Sequence, residues 1–421
     1  MSNLTLERTE HLPRRLAVVV FLAFALAYFF SALVRAITAT LSPTLTNEFT
    51  LSAQDLGLLA GGYFLGFSLT QLPLGRWLDK HGPKRVILAF LTFAVLGCLA
   101  FSWADSFHGL LAARILCGMG VSACLMAPLT GYRRWFDAST QLRTNSWMLM
   151  TGSLGMLAAT LPVQWLMPIW GWRALFVVLG VMIALAMLLI ALVVPRWQKA
   201  QTVSGCAPMS PADDDGTYRA IWRSRYFWRM TPIGFFSYGG MVAIQTLWAG
   251  PWMTQVAGWT AAEAATGLFF INLSMLLAFW VWGLITPRLA RRGIPVERLI
   301  AWGLPLTFMA LAVLVGFGRN IQGAAAAGLA LYCVSSTFVA LAQPAVGMAF
   351  PAHLAGRALS AYNLVIFAGI FVVQWGIGLA VDAGRTLGLT SVMAYQVALA
   401  GFAVCSFLSW IYFLLSKPDQ T

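Results

Sequence analysis

Two guanidinium groups, Arg35 and Arg114, lie inside long apolar runs of this sequence, and no carboxylate occupies the middle of any such run. A charge carried into a bilayer costs several kcal/mol unless it is paired or hydrated, so each arginine marks a site by default. Around Arg35, the residues Tyr28, Ser31, Thr38 and Ser42 recur at helical spacing and share its face. They form a polar stripe ending in a cation, the kind of wall that suits an anion or a polyhydroxylated anion. The other reading is a side chain that snorkels to the outer interface or caps neighbouring carbonyls. Arg114 opens A-A-R-I-L-C-G-M-G, in which Gly118 and Gly120 permit close approach of a neighbouring helix. Gln71, Gln245, Asn272, Tyr332, Ser336, Asn363 and Gln374 are costly in lipid unless they face protein or water, and they are candidates to complete a central cavity. No other chemistry is suggested. His11, His81, His108 and His353 are scattered, no cysteine pair has C-x-x-C spacing, and no phosphate-binding G-x-x-x-x-G-K-[ST] occurs. The sequence therefore predicts neither an enzyme nor a metal or cofactor site.

The elements that must position these residues are membrane helices. With 60% hydrophobic and 10% charged residues, the 421-residue chain is too apolar for a water-soluble globule. A span needs about 20 apolar residues. That rule predicts twelve spans, at 16–41, 54–75, 86–104, 108–130, 145–168, 172–194, 231–255, 263–286, 298–317, 323–347, 358–381 and 393–415. The run after Arg14 and Arg15 is too long for a signal-peptide core and reads as a retained first helix. Of the 27 Lys and Arg, Arg35 and Arg114 fall inside spans, and Arg173, Arg319 and Arg385 fall on one side. All the others fall on the opposite side. The positive-inside rule makes that richer side cytoplasmic and places both termini there. The basic balance is thus topological and gives no face for nucleic acid. The long segment 195–230 carries Asp213-Asp214-Asp215 and then Y-R-A-I-W-R-S-R-Y-F-W-R, expected as an amphipathic helix at the interface. It divides the chain into an N-terminal six-helix bundle (1–194) and a C-terminal one (231–421).

Between the second and third spans lies a charged knot, Q-L-P-L-G-R-W-L-D-K-H-G-P-K-R, from Gln71 to Arg85. Its spacing Gly75-x-x-x-Asp79-x-x-Gly82-x-Lys84-Arg85 resembles the loop between helices 2 and 3 that marks the major facilitator superfamily of transporters. R-L-A-R-R-G, Arg288 to Gly293, sits at the corresponding place in the second half. Aligning Gly293 on Gly82 sets Ala290 opposite Asp79. The resemblance covers essentially the whole chain. It implies an all-α membrane protein of two pseudo-symmetric six-helix bundles that works by alternating access about a midplane site. Asp79 and the basic residues would close the cytoplasmic side against the start of span 11, at Gly356 and Arg357.

Within that superfamily, Y-F-F-S-A-L-V-R, followed by Pro43 and L-S-A-Q-D-L-G, resembles the first helix of the organophosphate:phosphate antiporters and related anion carriers. There an arginine at the place of Arg35 binds the substrate's anionic group. The second arginine those carriers use in helix 7 has no counterpart: span 7 offers Tyr238, Gln245, Trp248 and Trp252. That departure favours a singly charged, partly apolar anion such as a carboxylate. Arg114 resembles the helix-4 arginine to which related carriers assign proton coupling. A structural pin between helices is the equal alternative. By the same resemblance Gln245, Tyr332 and Asn363 lie on helices that wall the cavity. T-G-S-L-G-M-L-A-A-T-L-P, Thr151 to Pro162, lacks the Gly-Pro pair of drug:proton antiporters.

The expectation is a monomeric symporter or exchanger of a small organic anion, with Arg35, Tyr28, Thr38, Gln245, Tyr332 and Asn363 at the substrate. A drug or metabolite exporter, and a carrier-shaped sensor signalling through 195–230, are the alternatives.

Overall fold

In hydrocarbon no water satisfies the backbone, so long apolar runs close their own hydrogen bonds as helices. The computed structural model describes residues 12–195, 218–318 and 323–416, and among them there is no strand. Among the described residues nine helices are long and apolar enough to cross a membrane: Arg14–Phe49, Gln71–Ser102, Phe107–Arg133, Leu161–Val193, Ala261–Thr286, Val296–Phe317, Ala325–Met348, Leu354–Thr386 and Ser391–Leu415. Two of these runs are each broken by a glycine at positive φ, Gly82 (φ 76°, ψ 163°) and Gly171 (φ 70°, ψ 165°). With the breaks counted as helix ends, the first half comprises α1 (Arg14–Phe49), α2 (53–81), α3 (83–102), α4 (Phe107–Arg133), α5 (138–170) and α6 (172–193). The second half comprises α7 (225–256), α8 (Ala261–Arg291), α9 (Val296–Phe317), α10 (Ala325–Met348), α11 (Ala352–Thr386) and α12 (Ser391–Leu415).

The first helix begins and the last helix ends at one face of this twelve-helix arrangement, called here the terminal face; the other is the distal face. The second half repeats the turn grammar of the first. Thr50, Gly82 and Gly171 take positive φ after α1, α2 and α5, and Gly258, Gly293 and Gly388 do so after α7, α8 and α11. The match of Gly293 to Gly82 is thus also a match of backbone conformation, one that L side chains rarely adopt.

Several helices outrun the spans expected from hydropathy. The stretch 76–81, expected as part of a loop, is helical, and the chain turns only at Gly82. Hydropathy stops at the first charges, whereas a helix carries on into water as long as its backbone bonds close. Similarly α1 continues through Pro43 to Phe49. Prolines mark two internal irregularities. Pro73 and Pro162 each lack an amide to donate, and α2 and α5 lose regularity at Thr70 and Thr160 just before them. The hydroxyl of Thr40 on α1 donates to Ala159 O (2.7 Å) at the irregular turn of α5. The basic aromatic segment after the linker is helical over 218–223. Ser224 then caps a new helix, its Oγ accepting from Phe227 N (3.3 Å), so 225–230 belong to α7 rather than to a separate interfacial helix. Asp213 to Asp215, with the rest of 196–217, lie outside the described residues.

Small residues set the packing of α2, α3 and α4. A Cβ on Gly118 would strike Tyr63 O, one on Gly66 would strike Ile115 O, and one on Gly97 would lie 2.7 Å from Cys117 N. Helix backbones here touch, which gives contact area in a lipid solvent that offers no hydrophobic drive between helices. Gly118→Val must force α4 off α2, with an overpacking cost on the order of 1–3 kcal/mol or more. It should abolish a monodisperse size-exclusion peak in detergent. Gly283→Ala, where nothing lies within 4 Å, should leave the peak intact. Equal behaviour of the two variants would refute this packing.

Candidate functional site

Arg35 lies in the middle of α1, half-buried, and its guanidinium points inward rather than toward either interface. The phenols of Tyr28 on its own helix, Tyr63 on α2 and Tyr238 on α7 are its electrostatic neighbours. The Phe67 ring lies 5.8 Å from the guanidinium carbon. Neither a backbone carbonyl nor a carboxylate pairs with Arg35 among the described residues, and its Nε is buried without a partner. Snorkelling and carbonyl capping are therefore both absent from this geometry. What remains is a cation whose charge is met by phenol oxygens and a ring face, an incomplete shell that an anion would finish.

Arg114 is fully buried on α4. Its Nη1 donates to Val34 O (2.9 Å), the carbonyl next to Arg35, so it pins α4 to α1 directly behind the first guanidinium. Its guanidinium carbon lies 5.2 Å from the centre of the Tyr63 ring, while Nε and Nη2 are buried without partners. Tyr63 thus joins the two cations: its ring lies under one, and its hydroxyl faces the other while donating to Ser31 O (3.3 Å). Cys98 and Cys117, 3.9 Å apart between their sulfurs, lie near Arg114.

Sequence reasoning did not select Tyr63. The available signal was a tyrosine in the apolar run G-G-Y-F-L-G-F of α2, flanked by the glycines that draw α4 close. Nor did it anticipate that α7 would be irregular. That helix contains three π-helical stretches, Ile233–Tyr238, Ile244–Trp248 and Trp252–Val256, and the first presents Tyr238. Such segments are frequent at functional sites because each re-aims a side chain.

The amides of the other half donate to polar side chains of that same half. Gln245 donates to Asn272 (3.0 Å), Gln343 to Asn363 (2.5 Å) and Gln374 to Thr246 (3.0 Å). Tyr332 is buried on α10, where Ser336 donates to its carbonyl (2.7 Å), and Thr38 is buried one turn beyond Arg35. The structure therefore brings Tyr28 to Arg35. It places Gln245 and Asn363 within the second half's own polar pairs and leaves Tyr332 buried on α10.

α2 and α11 form the longest seam between the halves. At the distal face Asp382 of α11 accepts from Ala53 N (3.2 Å) and Gln54 N (2.6 Å), capping the first turn of α2 across the seam. Below that cap, a Cβ on Gly57 would lie 2.5 Å from Gln374 O, and one on Gly378 would strike Ala53 O. Toward the terminal face Phe67 and Phe367 stack with centroids 4.0 Å apart, and Gly75 looks onto Ser360 Oγ at 3.7 Å. Gly82 makes the turn that follows, Lys84 Nζ donates to Val194 O (2.6 Å), and Asp79 and Arg85 are exposed. Arg357 lies near the start of α11. At the distal face Arg173 contacts Glu48 (2.5 Å) and Asp105 (3.4 Å), and Arg385 contacts Asp382 (3.7 Å).

Comparison with known proteins places this geometry. Residues 24–374 match the family described as Major Facilitator Superfamily. Over 163 residues the chain is 26% identical to the probable L-galactonate transporter of Escherichia coli (strain K12), a match covering 37% of this chain and 36% of that relative. This match therefore spans about a third of the relative's length. Over 395 residues the chain is 23% identical to the cis,cis-muconate transport protein of Acinetobacter baylyi, covering 88% of each. The crystal structure of a D-xylose-proton symporter superposes with a TM-score of 0.76 at 13% identity, over 96% of this chain and 98% of that one. At that identity the likeness is one of fold.

Two measurements check the arrangement. Tyr63→Phe keeps the ring under Arg114 and should cost about 1 kcal/mol, whereas Tyr63→Ala removes it and should cost roughly 3–5 kcal/mol. Equal losses of thermal stability would show that the ring does not support Arg114. Asp382→Ala should free the Ala53 and Gln54 amides, and their hydrogen exchange should quicken severalfold. Unchanged exchange would mean that the cap across the seam does not hold.

Proposed function

The chain belongs to the Major Facilitator Superfamily, and from that premise we propose that it carries a small organic anion across the membrane, with Arg35 holding the substrate's negative charge. It is a multi-pass integral membrane transporter rather than an enzyme. The observation that carries the anion reading is the unpaired, half-buried guanidinium of Arg35 beside the seam between the halves. A fixed cation there attracts a carboxylate strongly because the surroundings are of low dielectric and no acidic side chain competes. Galactonate and muconate, named for the two relatives, are both carboxylates, which supports the same class.

The mechanism follows from which contacts hold each face. The Asp382 cap and the Gly57–Gly378 approach close the distal side, and their release would admit substrate to Arg35 from there. Closure at the terminal face would use Gly75 against α11, with Asp79, Gly82, Lys84, Arg85 and Arg357 about that seam. The excess of cations makes the terminal face cytoplasmic, in the inner membrane if the cell is bacterial. The working unit is a monomer, since one chain carries both halves. A proton or counter-anion gradient supplies the energy, and Arg114, pinned behind Arg35, relays substrate occupancy to α4.

Reconstituted protein should exchange a small monocarboxylate such as benzoate in counterflow. Arg35→Gln should lower that flux at least about tenfold while keeping the wild-type size-exclusion profile, because one charge-assisted contact accounts for that much. Arg35→Lys, which keeps the charge without the fork, should retain part of it. Wild-type flux in Arg35→Gln would remove Arg35 from the site.

A further inference from the structure

The chemistry around Arg35 is aromatic to a degree that a charge site alone does not need. Its oxygen neighbours are the phenols Tyr28, Tyr63 and Tyr238, and its nearest ring is Phe67. Phe67 belongs to α2 and stacks on Phe367 of α11, centroids 4.0 Å apart and planes inclined by 26°. The pair joins the two halves that must separate in alternating access. Phe367, like Arg35, is only half-buried.

From this we infer that the substrate is a flat, unsaturated monocarboxylate, seated with its carboxylate on Arg35 and its plane against Phe67 and Phe367. The inference rests on the anion-carrier reading above and sharpens it. A planar ligand entering as the halves part replaces one ring–ring contact with ring–ligand contacts on its two faces, so the aromatic contact is conserved through the cycle. A sugar acid has no such compensation. Each of its hydroxyls needs a partner when buried, yet amides of the second half already bond one another at Gln245–Asn272 and Gln343–Asn363. Phe67 and Phe367 are then specificity-determining residues. With Arg114 sealed against Val34 O, only one guanidinium is open to the ligand, which fits a single carboxylate.

The test uses the full-length protein in detergent and three probes of one charge and similar size: benzoate (flat), cyclohexanecarboxylate (saturated) and glucuronate (hydroxylated). Affinities follow from the rise in melting temperature with ligand concentration. Benzoate should bind about tenfold more tightly than either other probe, the scale expected from ring stacking. Phe367→Leu should erase that preference while leaving Arg35-dependent binding of carboxylates. Glucuronate or cyclohexanecarboxylate binding as tightly as benzoate would overturn the flat-substrate inference and leave the anion-carrier reading standing. Binding of all three unchanged by Arg35→Gln would sink both. If Phe367→Leu does not fold, the wild-type ranking of the probes decides alone. A preference for benzoate that survives in a folded Phe367→Leu protein would reject the ring pair as its seat.

Discussion

Arg35 and Arg114 put positive charge into one aromatic cluster, and no carboxylate among the described residues neutralises it. Removing such a charge from water is expensive, and the interior compensates only in part. Arg114 receives one backbone carbonyl, the face of Tyr63 and two neighbouring thiols. Arg35 receives phenols and a ring. Cation–π contacts of this kind contribute about 0.5–2 kcal/mol, more when desolvated, which is less than an ion pair would. The deficit falls on Arg35, the more accessible of the two, and a negatively charged ligand is the natural way to make it good.

The packing of α2 follows from the same need. Tyr63 can serve both cations only if α2 lies hard against α4 and α1. The glycines at 66 and 118 allow that approach because any side chain would meet a carbonyl. The opposite edge of α2 lies along α11, joined there by backbone contact, the Asp382 cap and the Phe67–Phe367 stack. One helix therefore reports on the charged site along one side and forms the seam between the halves along the other. Movement of α2 relative to α11 is mechanically tied to the surroundings of Arg35 without any long relay.

The distal and terminal faces are built differently. The described distal cations are paired with carboxylates: Arg173 with Glu48 and Asp105, and Arg385 with Asp382. The terminal face carries many more cations than acids. Closure of the distal face thus leans on short, specific contacts, above all a carboxylate on a helix N-terminus. The terminal face holds an excess of positive charge instead.

The architecture was legible in the residues themselves, because membrane crossing is dictated by length and polarity, which are local properties. Twelve apolar runs, the sidedness of Lys and Arg and the glycine at position 82 sufficed. Arg35 and Arg114 were legible for the same reason, since a lone charge in an apolar run is conspicuous wherever it points. Helix ends were less so: hydropathy halts at Arg76, while the backbone continues to 81 and turns only where Gly82 can adopt positive φ. What lies around a charge is set by contacts between residues far apart in sequence. That Tyr63 faces both guanidinium groups, that Tyr238 arrives through a π-helical turn, and that Gln245 and Asn363 bond to other amides could be decided only by the packing of helices. The sequence supplies the inventory of polar groups; the tertiary structure, by pairing some and leaving others open, selects which of them can meet a substrate.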